Sequence, residues 1–401
     1  MEQIAKLVDY ALKAEKLNMR EEALDAFLAL KEIFPTCPLV RIKLAIAYLY
    51  TKQFKEGLKE LEHRFDPPIE NEITKMQSWP AFMGSSATFK NFYQKPLWDG
   101  KEDIKDKTIL VFDEAGFGDY IQYIRYLPKL KEKGCKIILE VKPELYELFQ
   151  NLGVETTLWN KEEKMKAFFF AMTKIKGYKP PLPPHDYVAS VFSFPYYFDP
   201  DLSKIPLEQY LFPKQKTNLI EKSNKFKIGL VWAGNRQDSC DQNRSCYLKK
   251  LAILAEIPNV QLFSLQKGDT KLQLDVKNNM IRNWEINGEF ESVNLLEGTE
   301  NLNLIDLDAK INDFTDTAQA IQELDLIISI DSAVIHLTGA LNKSGFLMLP
   351  FTQPDWRWQL NWYPSVKIFR QKSHNDWEGL IQEVKKEVES EINFKKFKNS
   401  P

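Results

Sequence analysis

Residues 324–341 read LDLIISIDSAVIHLTGAL, and the reading of this stretch decides the fold. Leu326 to Ile330 form a short apolar run rich in β-branched residues, which selects a buried parallel strand over a helix. The run stops at Asp331, and small residues follow. A helix should therefore begin at the strand's carboxyl end, with either Asp331 or Ser332 as its cap. The first-turn N–H groups of Ser332, Ala333 and Val334 then point into the crevice where open α/β sheets hold ligands, and an anion suits them. His336 lies one turn beyond Ser332 on roughly the same face, and Gly339 and Ala340 permit close approach of a neighbour. The competing reading of this spacing is an ordinary strand–helix unit in which His336 bonds a carbonyl.

The same alternation recurs outward in both directions. In KTILVFDEAGFGDYIQYIRYLPKLKEKGCKIILEV (107–141) a strand at Thr108–Phe112 is followed by a tight loop at Gly116 and Gly118, a helix over Tyr120–Lys131 and a second strand at Lys136–Val141. The loop is GFGD rather than GxGxxG. Glu140 is the nearest acidic residue to a ribose-ligand position, so dinucleotide binding has weak support. In FKIGLVWAGNRQDSCDQNRSCYLKKL (226–251) a strand over Phe226–Trp232 turns at Ala233, Gly234 and Asn235, and Val260 begins the next strand, which ends at Gln266 and Lys267. Arg244 offers a planar donor fork suited to phosphate, and Ser245 can cap the helix that follows. Lys267 can balance the charge of an anion, a solvated lysine being the alternative.

SIDSAVIHLTGAL (329–341), with DFTDTAQAIQELDLII (313–328) before it and MLPFTQPDWRWQLNWYPSVKIFRQ (348–371) after it, resembles the C-terminal region of bacterial tetratricopeptide-containing glycosyltransferases. These are related to heptosyltransferases and, more distantly, to O-linked N-acetylglucosamine transferases. The likeness runs from about Trp98 to Trp377. It implies a GT-B architecture: two Rossmann-like domains facing across a cleft, the second holding most of the nucleotide-sugar. The expected boundaries are helical repeats at 1–68, a linker at 69–104, a first domain at 105–222, a second at 223–378, and a C-terminal helix and tail at 379–401. In GT-B folds such a helix often crosses back to the first domain.

The resemblance also implies roles. Inverting glycosyl transfer needs a base for the acceptor hydroxyl and cationic or N–H groups for the departing diphosphate. Asp119 matches the acidic residue of the GD motif in heptosyltransferases and is the first candidate base. Glu114, in an E-x-x-G-x-GD pattern, is the second. The alternative for Asp119 is a helix cap that fixes the loop. Arg125 can pair with a carboxylate or phosphate, or serve a structural salt bridge. The donor would be bound by Asn235, Arg244, Lys267, Asp316, Thr317, Asp331, Ser332, Ala333 and His336, capping by Asp316 being an equally economical use of that residue. Trp358, after Asp355, Trp356 and Arg357, offers an aromatic surface to sugar or acceptor, with packing as the competing use. No metal or resident cofactor is implied, although Asp306 and Asp308 form a DxD-like pair. The donor substrate is a nucleotide-diphosphate sugar.

At the start of the chain, Ala11 recurs as Ala45, Ala23 as Gly57 and Phe27 as Leu61, a 34-residue period that is the spacing of tetratricopeptide helix pairs. Such a module can bind a peptide or brace the following domain, so an acceptor protein such as flagellin is a candidate partner. The alternatives are a heptosyltransferase-like enzyme acting on a lipid-linked saccharide, and a non-catalytic repeat scaffold that binds nucleotide-sugar.

The 401 residues are more than one core usually serves, and a formal net charge of −2 points away from a dedicated nucleic-acid binder. Cys37, Cys135, Cys240 and Cys246 lack zinc-ribbon spacing. The first residues lack a secretory pattern and no run reaches membrane-span length, so the cytoplasm is the expected location. KEEKMKAFFFAMTKIKGYKP (161–180) sets phenylalanines in a basic segment. That composition suits contact with an acceptor protein or a membrane surface, a buried loop-helix being the alternative.

Overall fold

The computed structural model describes residues 2–67, 92–166, 181–214, 218–235, 241–268, 282–286, 289–293, 302–352 and 354–398. The phenylalanine cluster at 168–170 and most of the linker expected at 69–104 lie outside the described residues. The chain divides into two compact units, Met1–Pro206 and Leu207–Pro401.

The first unit opens with four helices, α1 (Glu2–Lys16), α2 (Arg20–Ile33), α3 (Pro38–Tyr50) and α4 (Phe54–Leu61). The 34-residue repeat is visible in the backbone itself. Asn18 and Lys52 both take left-handed φ values, 60° and 64°. The bonds Met19 N to Ala14 O and Gln53 N to Tyr48 O, both 2.9 Å, close the two helix ends in the same way. Ala11, Ala45, Ala23, Phe27 and Leu61 are all buried. A Cβ on Gly57 would stand 2.7 Å from Leu49 Cγ, so the small residue is what lets α4 lie against α3. A 3₁₀ turn, Glu62–Phe65, follows α4.

Strands β1 (Thr108–Phe112), β2 (Lys136–Val141), β3 (Glu155–Leu158) and β4 (Tyr187–Ser190) form a parallel sheet in the order β3-β2-β1-β4. Residues 96–98 run beside β4, with Trp98 N donating to Val188 O, and so cover its outer edge. The helix after β1 begins at Phe117, three residues before the expected Tyr120, because Gly116 already occupies its cap position. It runs as α5 (Phe117–Tyr123), a 3₁₀ turn (Ile124–Tyr126) and α6 (Leu127–Lys131). Pro128 has no N–H to return to the turn before it, which accounts for the tightening. Further on lie α7 (Pro143–Phe149) and α8 (Phe194–Phe198).

In the second unit β5 (Phe226–Val231), β6 (Val260–Ser264), β9 (Leu304–Asp306), β10 (Leu326–Ile330), β11 (Gly345–Leu349) and β12 (Val366–Arg370) form a parallel sheet ordered β12-β11-β10-β5-β6-β9. A separate antiparallel pair, β7 (Arg282–Ile286) and β8 (Glu289–Val293), stands apart from it. Counted within the sheet, the order is 6-5-4-1-2-3, the doubly wound arrangement of a Rossmann-like fold; the first sheet has the order 3-2-1-4 of the same scheme. The expected α/β architecture, two Rossmann-like sheets behind a helical module, is thus what the chain forms. The helices are α9 (Asp241–Arg244), α10 (Phe314–Glu323), α11 (Ala333–Ala340) and α12 (Trp377–Lys398). The apolar face of α12, with Trp377, Leu380, Ile381, Val384, Val388 and Ile392, is buried in the core formed with β5, β10 and the 3₁₀ segment Leu248–Glu256. That face therefore belongs to the second unit's own core.

Candidate functional site

Strand order locates the ligand-bearing edge of each sheet without reference to any side chain. In the second sheet the direction of winding reverses between β5 and β10, which are hydrogen-bonded neighbours with Ser329 beside Val231. The turns leaving their carboxyl ends, at 232–235 and 331–333, therefore emerge side by side, and the crevice at such a reversal is where doubly wound sheets bind ligands.

Polar side chains converge on this edge. Gln266 accepts from Trp232 N and Ala233 N, both 3.1 Å, and donates to Ala233 O at 2.9 Å, so the turn after β5 is held from β6. Ser245 accepts from Gly234 N at 2.9 Å and donates to Asp241 Oδ1 at 2.8 Å. It is not a helix cap: the following 3₁₀ segment has Tyr247 at its cap position, with no side-chain bond. A Cβ on Gly234 would overlap Asp241 Oδ1 and stand 2.8 Å from Arg244 Nε and Nη2. Glycine is what allows the Arg244 guanidinium to lie on the loop. Asn235 follows, exposed.

On the β10 side Ser332, in extended conformation, is the cap residue of α11, but no side-chain bond caps the helix. Its hydroxyl pairs with Ser329 Oγ at 2.9 Å, and because Ser329 donates to Ile330 O, Ser332 is the donor of that pair. Ala333 begins the helix. His336 is buried, but not against a carbonyl as the plain strand–helix reading has it. Its Nδ1 meets Tyr363 Oη at 3.0 Å, its Nε2 lies 3.7 Å from Asp331 Oδ1, and its ring stacks on Trp358 at 5.0 Å and 24°. A Cβ on Gly339 would overlap the Tyr363 ring, so Gly339 makes room for the residue that orients the histidine.

Asp331 is largely buried. Burial works to raise its pKa, but the hydrogen bond and charge of His336, with Arg357 and Arg244 beyond, bring it below the ordinary carboxylate value. Arg357 is itself held by Asp355, through Nε at 3.0 Å and Nη2 at 2.7 Å. Asp331, His336, Arg244 and Arg357 thus form one electrostatic group. Sequence reasoning missed Tyr363 and Arg357 as members. Both stand in the block 348–371, and the signal available was a tyrosine and an arginine placed after the last buried strand but one. Trp358 is buried in packing against His336.

Other expected donor residues have structural duties. Lys267 Nζ bonds Asp308 O at 3.1 Å, Ile311 O at 2.7 Å and Asp308 Oδ1 at 2.6 Å. Asp306 Oδ1 accepts from Asp308 N at 3.1 Å, so the DxD-like pair shapes a turn. Asp316 does not cap α10. Asp313 does, accepting from Asp316 N at 2.9 Å, while Asp316 Oδ2 takes Asn312 N and Nδ2. Thr317 Oγ1 donates to Asp313 O.

In the first sheet the reversal falls between β1 and β4. The loop from Asp113 to Gly116 leaves β1, and Asp119 Oδ2 accepts from Gly116 N at 2.9 Å, the capping arrangement. Asp119 is partly exposed. Glu114 is differently placed: its side chain is 4% exposed and takes Arg64 Nε at 3.1 Å to both oxygens, Arg64 Nη2 at 2.7 Å, and Ser190 Oγ. Glu114 is thus engaged by Arg64 of the helical module and by Ser190 of β4. Asp113 meets Lys142 Nζ at 2.6 Å; burial, opposed by that lysine, pushes its carboxyl up to about 6. Glu140 is buried with Lys164 and Tyr93, and Arg125 donates to the carbonyls of Gln122 and Pro206.

No family model matches the chain. Protein FlbA of Caulobacter vibrioides is 24% identical over 346 residues, covering 82% of this chain and 51% of FlbA. The chain thus spans about half the length of that curated relative. Among solved structures, E. coli ADP-heptose lps heptosyltransferase II aligns with 72% of this chain and 99% of its own, at 11% identity and a TM-score of 0.49. A glycosyl transferase family 9 protein from Veillonella parvula aligns over 68% and 88%, at 11% identity and a TM-score of 0.44. The O-GlcNAc transferase of Thermobaculum terrenum aligns over 95% and 89%, at 9% identity and 0.33.

Proposed function

We propose that this protein is an inverting glycosyltransferase that moves a sugar from a nucleotide-diphosphate donor to an acceptor hydroxyl. The observation that carries the reading is the β5/β10 edge. There an α-helix start without a side-chain cap, Arg244 on a glycine turn and an Asp331–His336 pair meet at the point where a doubly wound sheet accepts ligands. Arg244 and the N–H groups at Ala333 and Val334 suit the diphosphate, and His336, fixed by Tyr363 and Asp331, offers a ring nitrogen to ribose or phosphate. Asp119 is the base that takes the acceptor proton, and no metal is required by this scheme.

The acceptor we favour is a protein hydroxyl, flagellin among the candidates, because two helical hairpins of tetratricopeptide period precede the first sheet and can hold a peptide. The protein acts in the cytoplasm in this reading; no helix among the described residues is long and apolar enough to cross a membrane. The test is calorimetric titration with ADP, GDP, UDP, CMP and their sugar conjugates, repeated with Arg244→Ala and His336→Ala. Saturable binding to one nucleotide, weakened by both changes, supports the donor site. Absence of binding to all of them removes the transferase reading and favours a repeat scaffold.

A further inference from the structure

One group of buried charges in the first unit is left unused by the donor chemistry, and it joins the helical module to the loop that carries Asp119. Arg64 stands in the 3₁₀ turn that ends the module, with its side chain 1% exposed. Its Nη1 donates to Leu61 O at 3.1 Å and Glu62 Oε1 at 2.7 Å, its Nη2 to Glu114 Oε1 and Ser193 Oγ, both at 2.7 Å, and its Nε to both oxygens of Glu114. Ser193 also donates to Glu62, and Tyr197 reaches the same carboxylate at 3.3 Å. A fork that rigid, bonded on three sides, fixes position more than it adds stability, because burying the charges costs much of what their attraction returns.

The geometry of the loop gives that fixation a target. Glu114 is held from the module side by Arg64, while Asp113 and Ala115 O are held from the β2 side by Lys142, at 2.6 Å each. Two residues after Glu114, Gly116 N is the donor that orients the Asp119 carboxylate. Glu114, anchored by Arg64 and by Ser190 of β4, thus lies two peptide units from the donor that orients Asp119, with Lys142 holding the carbonyl between them.

We propose that Arg64 is a positioning residue for Asp119: through Glu114 it sets the loop 113–116 and the start of α5, and it makes the helical module a working part of the acceptor-activating site. The proposal rests on the transferase reading for the role of Asp119, but the positioning has a readout that needs no ligand. Arg64 bonds the loop directly, beside the contacts that Glu62 makes with Ser193 and Tyr197 and that Phe65 makes with Phe112.

The experiment uses the full chain as wild type, Arg64→Lys, Arg64→Met, Glu114→Gln and the double change Arg64→Met with Glu114→Gln. The double variant removes both members of the Arg64–Glu114 pair and leaves Glu62, whose side chain is 21% exposed, with its bonds from Ser193 and Tyr197, so it guards against a result caused by a stranded Glu114 charge. Amide hydrogen exchange is followed at 113–119, at β1 and β2, and at β5 and β10. Expected is at least about tenfold faster exchange at Ala115 and Gly116 in Arg64→Met and in the double variant, with β1, β2, β5 and β10 unchanged. Arg64→Lys keeps the charge but not the fork and should not restore protection. For whichever of the ADP, GDP, UDP and CMP sugars turns over with wild type, kcat should fall about 30-fold or more at an unchanged donor KM. Unaltered exchange at 113–119 overturns the proposal, as does loosening spread evenly over the whole first unit or full rescue by lysine. If no nucleotide binds wild type, the transferase reading fails by itself, and local exchange still decides whether Arg64 holds the loop.

Discussion

The two sheets present the same topological feature and furnish it in opposite ways. At the β1/β4 reversal the helical module contributes Arg64, and Glu114, Ser190, Ser193 and Glu62 close round it until each side chain is bonded to another within the fold. At the β5/β10 reversal the charged groups lie round a helix start that no side chain caps, and the aromatic residues Trp358 and Tyr363 pack on and bond to His336. The first edge is closed by bonds round Arg64; the second sets Arg244, Asp331 and His336 beside the uncapped helix start, the arrangement on which the proposed donor site rests. A Rossmann-like strand order thus marks where a site can be, and only the local side chains decide what it does.

The sharpest way to break the comparison is to show that Asp119 contributes nothing to turnover. In Asp119→Asn the amide oxygen can still accept from Gly116 N, so the cap is kept while the base is lost. Turnover should fall by about 10²–10⁴-fold with nucleotide affinity unchanged by calorimetry; retained activity would assign Asp119 to capping alone. Arg244→Ala, at the other edge, should do the reverse. Loss of a charge-assisted bond of about 1.5–3 kcal/mol should weaken nucleotide binding roughly 10- to 100-fold, with amide exchange in the first unit untouched.

Gly339→Ala asks whether the aromatic support behind His336 matters. The new methyl would overlap the Tyr363 ring, so the ring must move and the Nδ1 bond with it. Thermal unfolding of the second unit should reveal a loss of about 1–3 kcal/mol, accompanied by weaker nucleotide binding. Equal affinity despite the lost stability would mean that His336 is packed there for the core.

What could be read from the chain follows the range of the forces involved. The bounds of β1, β2 and β10 were legible residue for residue, because a buried parallel strand needs an apolar run and charged or small residues end it. The repeat was legible because Ala11, Ala45, Ala23 and Gly57 are local packing requirements. Partnerships across the chain were not. Nothing near Glu114 announces that its cation comes from Arg64, fifty positions earlier, and nothing near His336 points to Tyr363. Lys267 shows the converse: its place at a strand end was legible, while its engagement with Asp308 and Ile311 depends on how β9 and the turn after it come back to β6.

The smallest effect expected concerns pH, and it sets the two edges against each other through one carboxylate at each. Burial pushes the Asp113 carboxyl up to about 6 despite Lys142, whereas His336, Arg357 and Arg244 outweigh burial and hold Asp331 below its ordinary value of 3.8. For Asp113 the folded value lies above the unfolded one. Its contribution to stability is therefore fully present below pH ~4 and lost as pH rises through about 6, a change of at most ~3 kcal/mol. For Asp331 the sign is opposite: the contribution is present above pH ~4 and lost as pH falls through the depressed value. Asp113→Asn should accordingly gain on wild type between pH 4 and 6, and Asp331→Asn should be less stable than wild type at neutral pH, with the deficit shrinking on acidification. Amide exchange in β1 for the first and in β10 for the second keeps the two units separate in the measurement. Parallel pH profiles for the two variants would mean that both edges hold their carboxylates in the same way, and the contrast between a braced loop and an anion-receiving edge would lose its electrostatic half.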